Sequence, residues 1–165
     1  MQCSSAMLRP SKIQIMHCLN KLNRYAKKLG LEIQYQDTFA YLPQESIIIL
    51  DTKLKYSIKE VIYYLHELGH AIQSDSYFHK LKSKSLDTKR SIILEQEYTA
   101  WVNGISIARA LKILDVIHEP YIREWVSAWS EYAQVLYKAD RKHVNALYAS
   151  YKAEGRPPVG QPPKS

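Results

Sequence analysis

His66-Glu67-Leu68-Gly69-His70 sets two imidazoles four residues apart, with a carboxylate beside the first. Residues four apart on an α-helix share one face, so His66 and His70 can hold one metal ion between them. Glu67 then stands next to that ion, where it can take a proton from a water the metal activates. The chemistry implied is metal-assisted hydrolysis. The competing reading is two histidines in an ordinary amphipathic helix, one of them bonded to a core carbonyl.

A metal that activates water needs a third protein ligand and an open fourth position. Glu97, in Leu94-Glu95-Gln96-Glu97-Tyr98-Thr99-Ala100-Trp101, is the leading candidate. At about 100° per residue, Ile93, Leu94, Ala100, Trp101, Gly104, Ala108 and Leu111 cluster around its direction. A carboxylate within an apolar stripe is costly unless it is paired or bound to a cation. Glu95 points instead toward Thr99, Ser106 and Arg109, where a solvated carboxylate costs little. The alternative for Glu97 is a buried ion pair with Arg123 or Lys112. His79 is a rival third ligand, nine residues past His70. In the H-E-x-x-H-x-x-G-x-x-H arrangement the third histidine follows a glycine that turns the chain. Gln73 and Ser76 occupy those two positions here, so that arrangement fails and His79 reads as an exposed loop residue. His118, Tyr63, Tyr121 and Tyr132 are the candidates for a second donor to a developing oxyanion.

The elements that must position these groups follow from local signals. Ser57 and Glu60 form a capping box, so a helix starts near Ser57. Ile58, Ile62, Leu65, Leu68 and Ile72 make its buried stripe, and His66, Glu67 and His70 share a neighbouring face with Tyr63 and Gln73. Gly69 lowers helix propensity, and its missing side chain would let another element, such as a sheet, pack closely. Ser91 to Leu114 reads as one long helix carrying Glu97. Upstream, Ser11 with Gln14 makes another capping box; Ile15, Leu19, Leu22, Ala26 and Leu29 repeat at helical spacing, and Gly30 stops that helix. Leu31, Ile33 and Tyr35 alternate as a strand. Phe39 to Leu42 and Ser46 to Leu50 are two further short strands joined by a turn at Pro43-Gln44-Glu45. Downstream, Pro120 opens another helix with an apolar stripe of Trp125, Ala128, Trp129, Tyr132 and Leu136. Val144, Leu147, Tyr148 and Tyr151 continue a helical pattern after a break near Asp140.

With both motifs in view, the chain resembles a zincin metallopeptidase of the gluzincin branch, whose third ligand is a glutamate. Within that branch it is most similar to the small ImmA/IrrE-like proteins of bacteria and their phages. Their H-E-L-G-H is matched by His66-Glu67-Leu68-Gly69-His70, and their later E-x-x-A by Glu97-Tyr98-Thr99-Ala100. The resemblance spans roughly residues 11 to 111. It implies one Zn2+ per chain, a short sheet ahead of the active-site helix, and a transcriptional repressor as a substrate. Trp101 departs from the pattern: members often carry Asn there, and some gluzincins carry Asp to orient a ligand histidine. The resemblance thus assigns no partner to the ligand histidines.

Composition bounds the rest. At 165 residues, with ordinary hydrophobic and charged content, the chain should form one globular domain over 1–154, with a Pro- and Gly-rich disordered tail over 155–165. No apolar run reaches membrane-spanning length. The first ten residues do not read as a signal peptide, and two cysteines, Cys3 and Cys18, make no disulfide framework. A cytoplasmic location with no membrane partner is the expectation. The net charge is +7, and Lys80, Lys82, Lys84, Lys89 and Arg90 cluster between the two metal-bearing segments, opposed by Asp87. A solvated connector explains them; the functional alternative is weak, non-specific contact with nucleic acid.

These readings combine into an α+β, mainly helical minimal zincin, with about three antiparallel strands before the H-E-x-x-H helix. The expected activity is hydrolysis of peptide bonds in a protein or peptide substrate. His66, His70 and Glu97 would hold zinc, and Glu67 would act as the base. The alternatives are a catalytically silent zincin-fold module that binds a regulatory protein partner, and a nucleic-acid-associated regulator.

Overall fold

The computed structural model describes residues 9–73 and 86–136. Helix α1 (Lys12–Lys28) begins as its cap residues dictate: Ser11 Oγ accepts from the Gln14 N–H and the Gln14 side chain accepts from the Ser11 N–H. Cys18, Leu19, Leu22 and Ala26 form its buried face. Gly30, at φ +74°, ends it: the Gly30 N–H bonds the Lys27 carbonyl and the Leu31 N–H bonds that of Ala26.

Three short strands follow, β1 (Glu32–Gln36), β2 (Ala40–Leu42) and β3 (Ile47–Asp51), in spatial order β1-β3-β2. The fold class is the expected α+β one, with the sheet preceding the helix of His66, but the sheet is mixed. β2 pairs antiparallel with β3, as a hairpin must, whereas β1 pairs parallel with β3. The reason lies in composition. Ile48 and Leu50 are fully buried and Ile49 nearly so. An unbroken aliphatic run suits a central strand covered on both faces, so β3 inserts between the other two. Alternation within a strand is blind to that ordering.

A short 3-10 turn, Thr52–Leu54, leads into α2 (Ile58–Ala71). Ser57 Oγ accepts from the Glu60 N–H as expected. The Glu60 carboxylate does not return to the Ser57 N–H. It accepts from the Tyr56 N–H and from the Tyr35 hydroxyl, and so ties β1 to the start of α2. Ile62, Leu65 and Leu68 are buried, while Ile72, at the end of the predicted stripe, is 40 % exposed. Val61, Tyr64 and Gly69 are buried as well, because α2 is the central helix, packed on α1, the sheet and both later helices.

Helix α3 (Leu86–Ala110) and helix α4 (Leu114–Leu136) correct two expected boundaries. The predicted continuation through Leu114 fails at Lys112, which adopts φ +55°. The Lys112 N–H bonds the Arg109 carbonyl and the Ile113 N–H bonds that of Ala108, the same closing pattern as at Gly30. A lysine in the left-handed region costs about 1–2 kcal/mol. Burial of Ile113 and Ile117 and a bond from Lys21 Nζ to the Leu111 carbonyl at 2.8 Å offset that cost. Pro120 does not open α4 but lies inside it. Among the described residues Trp101, Trp125, Tyr64 and Tyr121 are the largest fully buried side chains, and the Tyr121 hydroxyl donates to the Trp101 carbonyl at 2.7 Å. None of the described helices is long and apolar enough to cross a membrane. His79, Lys80, Lys82, Lys84, the helical pattern from Val144 to Tyr151 and the 155–165 tail lie outside the described residues, as do the side chains of Glu95, Trp129 and Tyr132.

Candidate metal centre

Helix α2 carries His66, Glu67 and His70 on one side, and α3 brings Glu97 against them. The approach depends on Gly69. A Cβ there would lie 2.0 Å from the Ala100 carbonyl oxygen, so α2 and α3 touch backbone to backbone. The partner at Gly69 is thus a helix and not a sheet. Asn103 reinforces the contact, its Nδ2 donating to the Gly69 carbonyl at 3.1 Å. Gly104, one turn beyond Ala100, leaves room for the Tyr121 hydroxyl, which a Cβ would meet at 2.1 Å.

The three side chains converge. His66 Nε2 lies 3.0 Å from Glu97 Oε2, His70 Nε2 lies 3.3 Å from Glu97 Oε1, and the two Nε2 atoms are 3.2 Å apart. His66, His70 and Glu97 form a group that could hold a metal ion. Ala100, Trp101 and Ala108, predicted to flank Glu97, are buried. Arg123, an alternative partner for Glu97, pairs instead with Glu119.

Glu67 is 6 % exposed and lines the same cleft as His70 and Glu97. The cleft encloses about 280 Å³, with Phe39, Ala40 and Tyr41 on the β2 side and Gln73 and Gln96 opposite. A backbone hydrogen bond from Tyr41 reaches the Glu67 carboxylate. Burial raises Glu67 to about 7, against the opposing effects of His70 and the Tyr41 N–H. Burial would also raise Glu97, but hydrogen bonds from His66 and His70 and their charges overcome it and hold the carboxyl at about 2. Burial lowers His66 despite Glu97. It opposes protonation of His70 too, but there the Glu97 hydrogen bond and charge, with help from Glu67 and Gln73, push the imidazole up.

The two histidines are held differently. The Trp101 ring packs on His66 with centroids 4.3 Å apart, and His66 Nδ1 is buried with no hydrogen-bond partner among the described residues.

Of the expected oxyanion donors, Tyr63, Tyr121 and His118 are not among the residues that line the cleft, and the Tyr132 side chain lies outside the described residues. Tyr121 is fully buried and its hydroxyl is bonded to the Trp101 carbonyl. The Tyr63 ring stacks on Phe39 at 4.9 Å and its hydroxyl donates to Glu124 at 3.1 Å. His118 is exposed on α4 and is not among the lining residues. Sequence reasoning missed Tyr41 and Gln96. Both meet the site through main-chain groups, the Tyr41 N–H and the Gln96 carbonyl, which residue type does not signal.

No family model, curated protein or solved structure matches this chain. The reading of the site therefore rests on its own residues.

Proposed function

We propose that this chain is a zinc-dependent peptidase, a small metalloprotease of the gluzincin kind. The observation that carries the reading is the convergence of His66, His70 and Glu97 beside the buried carboxylate of Glu67. Two imidazoles and a carboxylate suit zinc, and a tetrahedral ion with bonds of about 2.0–2.1 Å sets its ligand atoms about 3.3–3.4 Å apart. The separations of 3.0, 3.2 and 3.3 Å lie at or slightly below that spacing, so small shifts would accommodate the ion. Three protein ligands leave a fourth position open toward the cleft. Zinc held there would supply a Lewis acid that activates water and polarises a carbonyl.

The residues of the chain divide the remaining work. Glu67 accepts the proton of the attacking water and returns it to the leaving amine. The Tyr41 N–H holds the Glu67 carboxylate in place for both transfers. Strand β3 is paired on both sides, so of the two hairpin strands β2, at the sheet edge, is the one that can pair with a substrate. Its residues Ala40 and Tyr41, with Phe39 just before them, line the cleft. An extended peptide antiparallel to β2 would be held by main-chain bonds and pass over Glu67. A cleft of about 280 Å³ beside a strand edge suits a backbone and one or two side chains.

A silent module that docked a partner through the aromatic stripe of α4 has less support, because Trp125 in that stripe is fully buried. The test compares wild type with Glu67→Gln. Both should carry about one zinc per chain. Wild type should cleave extended protein substrates, and the variant should be slower by about 10²–10⁴-fold. Equal activity in a zinc-loaded Glu67→Gln protein refutes the mechanism. Partners that stay bound to a folded, chelator-treated protein and are never cleaved favour the module.

A further inference from the structure

Gln73 lies just past the cap of α2 and touches both metal-bearing helices. Its backbone N–H donates to the His70 carbonyl at 3.1 Å and closes the last turn. Its side-chain Nε2 donates to the Gln96 carbonyl on α3 at 2.6 Å. A carbonyl oxygen only accepts, so this bond fixes the orientation of the amide and leaves Oε1 as its acceptor end. Gln73 lines the same cleft as His70, three residues along the chain from it, and its side chain is among the influences that raise the His70 imidazole. His70 Nε2 faces Glu97 and His66, so the ring nitrogen left for an acceptor is Nδ1.

A metal-ligating histidine needs its other ring N–H bonded, because that bond fixes the tautomer and the ring plane and raises ligand basicity. Among the described residues His66 has no such partner at Nδ1 and relies on the face of Trp101. We propose that Gln73 is a positioning residue of the metal centre: its amide oxygen accepts from His70 Nδ1–H, its amide nitrogen grips the Gln96 carbonyl, and together they set His70 against Glu97. Gln96 immediately precedes Glu97, so one side chain spans from the ring of one ligand to the chain neighbour of another. The inference rests on the metal-site reading above. It adds a residue that the H-E-x-x-H spacing does not include.

The experiment measures zinc affinity by competition with a chromophoric chelator for wild type, Gln73→Ala and Gln73→Glu. Loss of such a supporting partner typically costs about 10–100-fold in metal affinity, and Gln73→Ala should show it. Gln73→Glu restores an acceptor for His70 while losing the donor to Gln96, so it should recover most of the loss. In the zinc-loaded wild type the His70 Nδ1–H proton should resonate downfield, and Gln73→Ala should move it upfield. Wild-type affinity in Gln73→Ala, or equal losses in both variants with no change at the His70 ring, overturns the inference while leaving the site intact. A wild type that binds no zinc overturns the metal-site reading and this inference with it.

Discussion

Gly69→Ala adds one methyl group where two helices meet, and it should damage metal binding more than folding. The new Cβ would stand 2.0 Å from the Ala100 oxygen, 2.8 Å from its carbonyl carbon and 3.0 Å from its Cα. All three are backbone atoms of α3, so no side chain can swing aside. Ordinary contact starts at 3.4 Å, and α3 must retreat by about 1.4 Å to restore it. Overpacking of this kind costs about 1–3 kcal/mol, and a clash with helix backbone belongs at the upper end. Alanine regains about 1 kcal/mol over glycine in a helix interior. The net loss of about 2 kcal/mol corresponds to a melting temperature lower by about 4–8 °C for a chain of this size.

The effect on the site follows from where α3 carries its ligand. Glu97 sits one helical turn before Ala100 and moves with it, while His66 and His70 stay on α2. Metal–ligand bonds tolerate deviations of about 0.2 Å, far less than the retreat. Zinc affinity should therefore fall by at least about 100-fold, the upper range for loss of a supporting contact, since here a ligand itself is displaced. Chelator competition and a thermal melt of the metal-free protein read the two effects separately. Gly30→Ala is the control: its φ of +74° strains an alanine, but nothing lies within 4 Å, so stability should drop while affinity holds. A Gly69→Ala protein with wild-type affinity and melting temperature refutes the backbone-to-backbone account of the site.

Three further outcomes are expected. Glu97→Ala should abolish stoichiometric zinc, whereas Glu95→Ala should retain it; atomic absorption of the dialysed proteins decides between them. His70 is pushed up in the metal-free protein, so zinc must displace its proton; affinity should rise with pH up to that raised pKa, and calorimetry in buffers of different ionisation enthalpy should detect proton release at neutral pH. Glu67, raised to about 7, takes up stability that is complete below its unfolded value of 4.5 and lost as pH climbs through 7. Glu67→Gln removes that loss, so metal-free variant should gain on metal-free wild type between pH 5 and pH 8, by up to about 3 kcal/mol in urea titrations.

The His66, His70 and Glu97 group that could hold a metal was legible because its geometry is largely local. Four residues along a helix put His66 and His70 on one face whatever the rest of the chain does. Glu97 could be chosen over Glu95 because its direction is shared by Ala100, Trp101 and Ala108, which are buried. The start of α1 at Ser11 and its stop at Gly30 were readable for the same reason, since each is fixed by residues three or four apart. The end of α3 was not, because the left-handed position there holds Lys112, a residue with no turn signature. Strand order was not legible either: Ile47 to Leu50 announces a buried strand, but a meander and an insertion present the same run of side chains.

The supports of the site escaped the sequence for a different reason: they are mostly backbone groups. The Glu67 carboxylate is met by the Tyr41 N–H, Gly69 rests on the Ala100 carbonyl, Asn103 reaches the Gly69 carbonyl and Gln73 grips that of Gln96. Every residue but proline carries the same main-chain donor and acceptor, so residue type cannot reveal which one will be used. What the sequence does retain is the side chain that reaches out, or the one that is missing. Gly69 signalled a close approach but suggested a sheet where α3 stands, and Trp101 signalled only that the expected polar partner of the histidines is missing. Both signals concern the α2–α3 contact, which must place Glu97 within about 3 Å of two imidazoles on another helix. Substitutions along that contact should therefore change metal affinity even where they touch no ligand.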